Sequence, residues 1–296
     1  MTVTPVSPDS SLTPRPGAKR AFFRKALRRP DIALSLLVIA ILVFTAIFAD
    51  VIAPYDPNAQ DLLDNLMPMS SQYWLGTDGL GRDVLSRLIH GARVSLQVGL
   101  FSVTIAAIIG TLIGMLSGYY RGIADTILMR IMDALISVPP IILAIAMAAV
   151  LGSGITNVVL ALAVALVPTY ARVMRSLVLV IRELDYTVSA RVAGAGELRI
   201  LSQHIFPNCL PSLVVLITLN MGQAILAEAS LSFLGIGITP PQAAWGAMVS
   251  DGYRYLVQYP WLSILPGICV VVTVLAFNLA GDGLRDMLDP RLKGQL

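Results

Sequence analysis

The sequence predicts an all-α integral membrane protein with about six transmembrane helices, and three observations carry that expectation. Of its 296 residues 56% are hydrophobic and only 13% charged, with a mean hydropathy of +0.77, whereas soluble domains carry about 25% charge. Surface-to-volume scaling leaves a chain of this length too much surface to hide such an excess in water. Stretches free of Asp, Glu, Lys and Arg run over 32–49, 94–120, 134–171, 200–227 and 256–280. A bilayer core of roughly 30 Å needs about 20 helical residues. Finally, the positive residues are segregated between alternate connections, as they are in multi-pass proteins.

Taken in order, residues 1–25 form a basic tail, rich in Ser, Thr and Pro and expected to be partly disordered. A basic segment before an apolar one also fits a secretory signal. The apolar run of the first span, however, meets Asp50 and Pro54 without a small-x-small cleavage site, which favours an uncleaved helix. The loop over 50–93 is long enough to hold structure of its own. Within it, 81–93 (GRDVLSRLIHGAR) sets Val84, Leu85, Leu88 and Ile89 on one helical face and Arg82, Asp83, Ser86 and Arg87 on the other. That pattern predicts an interfacial helix leading into the second span. The stretch 134–171 is too long for one span and breaks at Gly152-Ser153-Gly154, giving two helices and six spans in all; Pro139-Pro140 is expected to kink the first of them. The segment 232–260 holds too much Gly and Pro to span.

With the tail inside and the spans alternating, 17 of the 21 Lys and Arg fall on the inner side, leaving Arg82, Arg87, Arg93 and Arg254 outside. Both termini are therefore expected to be cytoplasmic, in a multi-pass protein of the plasma membrane. The net charge of +3 does not point to nucleic acid. The two cysteines, Cys209 and Cys269, lie in apolar runs without disulfide or metal spacing, and neither His90 nor His204 has a second ligand at metal spacing.

The inner loop between the fourth and fifth spans, about 183–208, is the most informative segment. Residues 186–208 read YTVSARVAGAGELRILSQHIFPN. A short helix over 188–193 is expected, broken by Gly194, Ala195 and Gly196, with a second helical stretch ending at Pro207. Small residues at such a break allow another protein surface to approach the backbone, although a plain connector reads the same way on these grounds alone.

This loop resembles the EAA motif of ABC importer permeases, in which a glycine precedes a proline by about a dozen residues, as Gly194 precedes Pro207. Val188, Ser189 and Ala190 stand where the motif is named for Glu-Ala-Ala. Its form, together with LGTDGLGRDVLSR (75–87), EASLSFLG (228–235) followed by Pro240-Pro241 and Trp245-Gly246, and NLAGDGLRDMLDPR (278–291), resembles the dipeptide/oligopeptide/nickel family. The resemblance runs from about Ala53 onward. It implies a type I (MetI-like) permease fold over 26–296 and a non-catalytic subunit of an ATP-driven importer, carrying peptides by preference over nickel, glutathione or haem. It also implies partners: a second homologous permease, two ATPase subunits or one fused ATPase, and an extracytoplasmic binding protein. ATP and Mg would be held by the ATPases, since this chain has no GxxxxGK[ST] phosphate cradle and no cofactor of its own is expected. The ATPase-coupling residues would be Ala190, Arg191, Gly194, Ala195, Gly196, Arg199, His204 and Pro207.

Three further residues stand as structural or gating candidates. Glu228 interrupts an apolar span, where a carboxylate either serves function or pairs with a serine, a backbone N–H or an outer arginine. Asp282 and Arg285, with Asp286, are expected to close the sixth span. Arg130 and Asp133, three apart, are expected to pair. Tyr253, Tyr255, Tyr259 and Trp261 are expected to form an interfacial belt. A secondary transporter would show inverted repeats and midplane ionisable groups, and a membrane enzyme would show a catalytic constellation; the sequence displays neither set.

Overall fold

The computed structural model describes residues 29–288. The tail over 1–25 and the end of the C-terminal motif therefore lie outside the described residues. Among those described, the chain is helical throughout, with no strand beyond a single bridge between Thr77 and Asp83. The helices are α1 (Pro30–Ile47), α2 (Val84–Tyr120), α3 (Gly122–Ile136), α4 (Pro140–Leu151), α5 (Ile155–Ile181), α6 (Asp185–Val192), α7 (Glu197–Phe233), α8 (Trp245–Tyr253) and α9 (Trp261–Leu288). Five are long and apolar enough to span a bilayer: α1, α2, α5, α7 and α9. The pair α3 and α4 makes a sixth candidate, bent by 87°.

That bend is the expected kink in a much sharper form. Pro139 disfavours helical geometry at Val138, and Pro140 restarts a helix at its first position, where a missing N–H costs nothing. A break at the glycines then separates α4 from α5, with Gly152 and Gly154 both at positive φ and the Asn157 amide donating to Leu151 O at 2.7 Å.

Lipid provides no hydrophobic drive between helices, so close packing has to hold them together. A long, close seam lies between α2 and α5, along Gly110, Gly114 and Gly118. A Cβ on Gly110 would sit 2.5 Å from Tyr170 Cβ and 2.6 Å from Val167 O, one on Gly114 would collide with Ala171 O, and one on Gly118 would sit 2.9 Å from Val178 Cβ. These glycines let the two backbones approach and enclose Val103, Ala106, Ala107, Tyr170 and Ala171. Leu34, Leu37, Ile41 and Phe44 of α1 and Ile264, Ile268, Val271 and Leu275 of α9 face outward, as lipid-facing helices require.

Two expectations are corrected here. The segment 81–93 is not a separate interfacial helix: Asp83 caps α2 through the Ser86 amide at 2.8 Å, and the helix continues unbroken for 37 residues, about 55 Å. Its polar face is not solvated, since Arg82, Asp83, Ser86 and Arg87 are all buried beneath the outer loops. Asp133 pairs with Arg172 of α5 at 2.6 Å rather than with Arg130. Of the aromatics before and at the start of α9, Tyr255, Tyr259 and Trp261 pack against the cluster around Trp245, while Tyr253 is exposed. Arg285 stands in the last described turn of α9, as expected, and Asp286 accepts from Arg29 at 2.9 Å, joining the start of α1 to the end of α9.

The ionic groups collect at the two ends. At one, Arg175 holds Asp125 through two 2.7 Å bonds, and Arg182 donates to the last carbonyls of α2, Tyr119 O at 2.6 Å and Gly118 O at 3.3 Å. At the other, Arg93 grips Asp50 at 2.9 and 3.0 Å and Ala46 O at 2.7 Å, while His90 Nε2 lies 3.1 Å from Asp50. These contacts clamp the end of α1 onto α2.

Candidate functional site

The loop between α5 and α7 stands out from the arginine-rich end and is held there by its own residues. After α5 the chain turns at Leu184, and α6 begins. Thr187 is the buried residue of that helix, and its hydroxyl donates to Ile181 O at 3.0 Å. Ser189, Arg191 and Val192 face outward, as do Tyr186 and Val188.

The end of α6 explains Gly194. The Gly194 amide donates to Arg191 O and the Ala195 amide to Ala190 O, both at 3.0 Å. This paired closure requires the left-handed conformation at the intervening residue, and Gly194 has φ +82. A Cβ there would meet no atom of this chain, so the backbone conformation is what selects glycine within the chain. Gly196 differs: φ is −65 and the space around it is open, so nothing inside the chain demands a glycine at that position. Ala195 packs inward on the cluster formed by Met174, Val178, Ile181, Ile200, Leu201 and Ile205.

Past the break, the helical stretch does not end at Pro207 as expected. It passes through a π turn over Ile200–Ile205 and continues as one helix to Phe233. Pro207 has no N–H to donate, and widening the ladder just before it, with Phe206 N–H on Leu201 O, lets the chain carry on. Ile200 and Ile205 are fully buried between the ends of α2 and α5. Arg199 bonds Gln203 at 3.0 Å, Glu197 accepts from Tyr120 at 3.0 Å, and His204 is half-buried, its carbonyl taking the Asn208 amide at 2.7 Å.

The result is a small platform with a rigid root. Its inner face is tied to α2, α5 and α7, and its outer face shows Tyr186, Val188, Val192 and Leu198, the last two more than 80% exposed. Apolar side chains exposed at the ionic end, with Leu198 at the edge of an apolar groove that also holds Leu112, Leu116 and Phe206, form an apolar surface of the kind that marks a protein contact.

The remaining candidates lie elsewhere. Glu228 is fully buried on α7 and accepts from Ser95 of α2 at 2.9 Å and Ser232 at 2.8 Å, and the Ser232 oxygen in turn takes the Ile238 amide at 3.0 Å. Asp282 and Arg285 are exposed on α9. Composition gave no sign of the α2–α5 glycine seam or of the buried Arg82 and Arg87; the spacing of Gly110, Gly114 and Gly118, four apart, could have shown the seam. Among the described residues no group of three His, Cys, Asp or Glu converges on a possible metal position.

Helical spans that expose apolar faces, together with a rooted platform at one end, describe a multi-pass membrane subunit with a surface for a protein partner. The chain belongs to the family described as the binding-protein-dependent transport system inner membrane component, whose model matches residues 110–294. The N-terminal transmembrane domain of oligopeptide transport permease C matches residues 20–68. It is 46% identical over 290 residues to the glutathione transport system permease protein GsiD of Escherichia coli, covering 98% of this chain and 94% of that protein. The GsiD of Pectobacterium atrosepticum is 46% identical over 275 residues, 93% and 91% of the two chains. A Brucella suis protein bearing the name of a peptide transport system permease is 46% identical over 270 residues, 91% of each. The protein is thus a permease component of an ABC import system.

Proposed function

We propose that this chain forms, with a second homologous permease, the translocation pathway of an ATP-driven importer of di- or oligopeptides, and that it receives the force of ATP hydrolysis through the 186–207 loop. It is a non-catalytic subunit in this reading. Separate or fused ATPase subunits bind ATP and Mg, and an extracytoplasmic binding protein delivers the cargo. The peptide assignment follows the names of the relatives, among which glutathione is itself a small peptide.

The carrying observation is the rooted platform. Because α6 and the turn at 193–196 are bonded to α2, α5 and α7 through Thr187, Ala195, Ile200 and Ile205, a push on Val192 or Leu198 moves three spanning helices together. Rigid-body coupling between a nucleotide site and a gate requires that property. The positive-residue bias supports a cytoplasmic position for this end, where ATP is found, with both termini on the same side.

The test is co-purification in mild detergent of wild type, Val192→Glu and Leu198→Glu. Both side chains are solvent-exposed, so neither change should unfold the bundle. Wild type is expected to bring an ATPase and a second permease, and the variants to keep the permease while losing the ATPase or its stimulation. Retention of full ATPase coupling by both variants would defeat the assignment.

A further inference from the structure

Lipid offers the backbone no hydrogen-bond partner, so non-helical chain at membrane depth persists only where protein covers it or water lines it. The break between α3 and α4 is such a stretch. In an unbroken helix the carbonyls of Leu135 and Ile136 would accept from residues 139 and 140, but both of these are prolines and carry no N–H. The Ser137 amide goes to Asp133 O at 3.0 Å and its hydroxyl to Ala134 O at 2.7 Å. Neither bared carbonyl therefore has a donor among the described residues. Ser137, Val138, Pro139 and Pro140 are all exposed.

The depth of the break follows from its neighbours. Pro140 shares a cleft with Leu162 and Leu166 of α5 and with Gln223 of α7. Gln223 precedes Phe233, the last residue of α7, by ten residues, about 15 Å, which is half of a core roughly 30 Å thick. Gln223 is itself exposed. Ser212 and Ser230, eleven and seven residues away, share its face of the helix. The outward faces of α1 and α9, by contrast, present Leu37, Ile41, Ile268 and Val271. Thr218 and Ser230 return their hydroxyls to the carbonyls four residues back, at 2.9 and 2.8 Å, whereas Gln223 makes no side-chain bond among the described residues. Two independent features, a broken backbone and an unpaired carboxamide, thus mark one face at mid-depth as unsuited to lipid.

The geometry points to an aqueous translocation surface here, on which Gln223 and the carbonyls of Leu135 and Ile136 line the pathway and bond a passing peptide. The carbonyls accept its N–H groups, and the carboxamide both donates and accepts, as a peptide group does. Groups that bond the backbone of a cargo read none of its side chains, so this face is indifferent to peptide sequence. The lining role rests on the chain being an import permease; the peptide contact rests on the peptide reading proposed above.

The test uses the chain with its co-purifying subunits in nanodiscs and a charged, water-soluble thiol reagent. Gln223→Cys and Ser137→Cys are each placed in a chain carrying Cys209→Ala and Cys269→Ala. Val271→Cys, exposed on α9 ten residues from Trp261 and so at the same depth, is the lipid-facing control. Both pathway positions are expected to react about tenfold faster than the control or more, because a thiol in apolar surroundings is held from ionising. Equal rates at all three, or no reaction at 137 and 223, would mean that lipid or the partner permease covers this face, and would overturn the proposal. A cysteine-free mixture of di- and tripeptides, presented with the binding protein and ATP, should slow labelling at 223. Gln223→Leu should cut import of that mixture about fivefold, the worth of one neutral hydrogen bond, with the ATPase still bound. Unslowed labelling and undiminished import would overturn the peptide contact. If wild type imports none of the mixture, the peptide reading fails by itself, and the labelling rates still decide whether the face lines the pathway.

Discussion

Gly194 and Gly196 sit two residues apart in one turn and look alike in the sequence, yet they should answer differently to the same change. Gly194 is at φ +82, where a Cβ strains the backbone by roughly 1–2 kcal/mol. Gly196 is at φ −65 with open space around it. Gly194→Ala is expected to loosen the 193–199 turn, and limited proteolysis should cut it faster there than in wild type. Gly196→Ala should leave the cleavage rate as it was, and any loss of ATPase stimulation in that variant reports the contact surface alone. Glu228 offers a second contrast. Glu228→Gln keeps an acceptor for Ser95 or Ser232, while Glu228→Leu leaves both hydroxyl donors without their acceptor. Orphaned buried groups cost about 1–3 kcal/mol, so the thermal midpoint should fall clearly in the leucine variant and little in the glutamine one. A midpoint lowered equally by both would mean that the charge itself is required.

At the scale of elements, the α2–α5 seam and the clamp on α1 are the joints to test. Gly114→Val puts two methyl groups where a single Cβ already collides with Ala171 O. Overpacking of this kind costs about 1–3 kcal/mol, and should show as a lower yield of folded protein and a lower midpoint. Gly267, whose Cβ would meet nothing, serves as the control: Gly267→Ala should be silent. The clamp at Asp50 makes a pH prediction. Arg93 and then His90, by hydrogen bonding, hold the Asp50 carboxyl below the ordinary aspartate range. A depressed folded-state value gives a contribution that is complete above the unfolded pKa and is lost as pH falls through the lower, folded one. The turn over Ala49–Ile52 should therefore stay protected from hydrogen exchange through neutral and mildly acidic pH and open only below the aspartate range. Asp50→Asn should already be open at neutral pH, and high salt should loosen wild type because the group is exposed.

For the whole molecule the question is which end faces the cytoplasm. Val192 and Val257 are exposed at opposite ends, and both native cysteines are shielded, Cys209 buried and Cys269 half-buried. With a membrane-impermeant thiol reagent on intact cells, Val257→Cys is expected to label and Val192→Cys to label only after the membrane is opened. The reverse pattern would invert the topology and remove the platform from reach of ATP.

Composition and the runs free of charge were sufficient for the membrane class, the number of spans and the site of the α4–α5 break, because lipid imposes one rule on every residue of a span. The break at Gly194 was legible as well, since a glycine after a short helix marks a left-handed cap, whereas the passage of the next helix through Pro207 was not. Other features depended on which residues meet in three dimensions. The face carrying Arg82 and Arg87 reads as solvated from its period along the helix, but loops from 57 and 241 fold over it and bury it. Asp133 has Arg130 nearby in sequence and Arg172 nearby in space, and the spatial neighbour takes it. Periodicity records which residues share a face of one helix; what covers that face is decided by segments 30 and 154 residues away, so the burial of Arg82 and Arg87 and the partners of each charge belong to the tertiary structure alone.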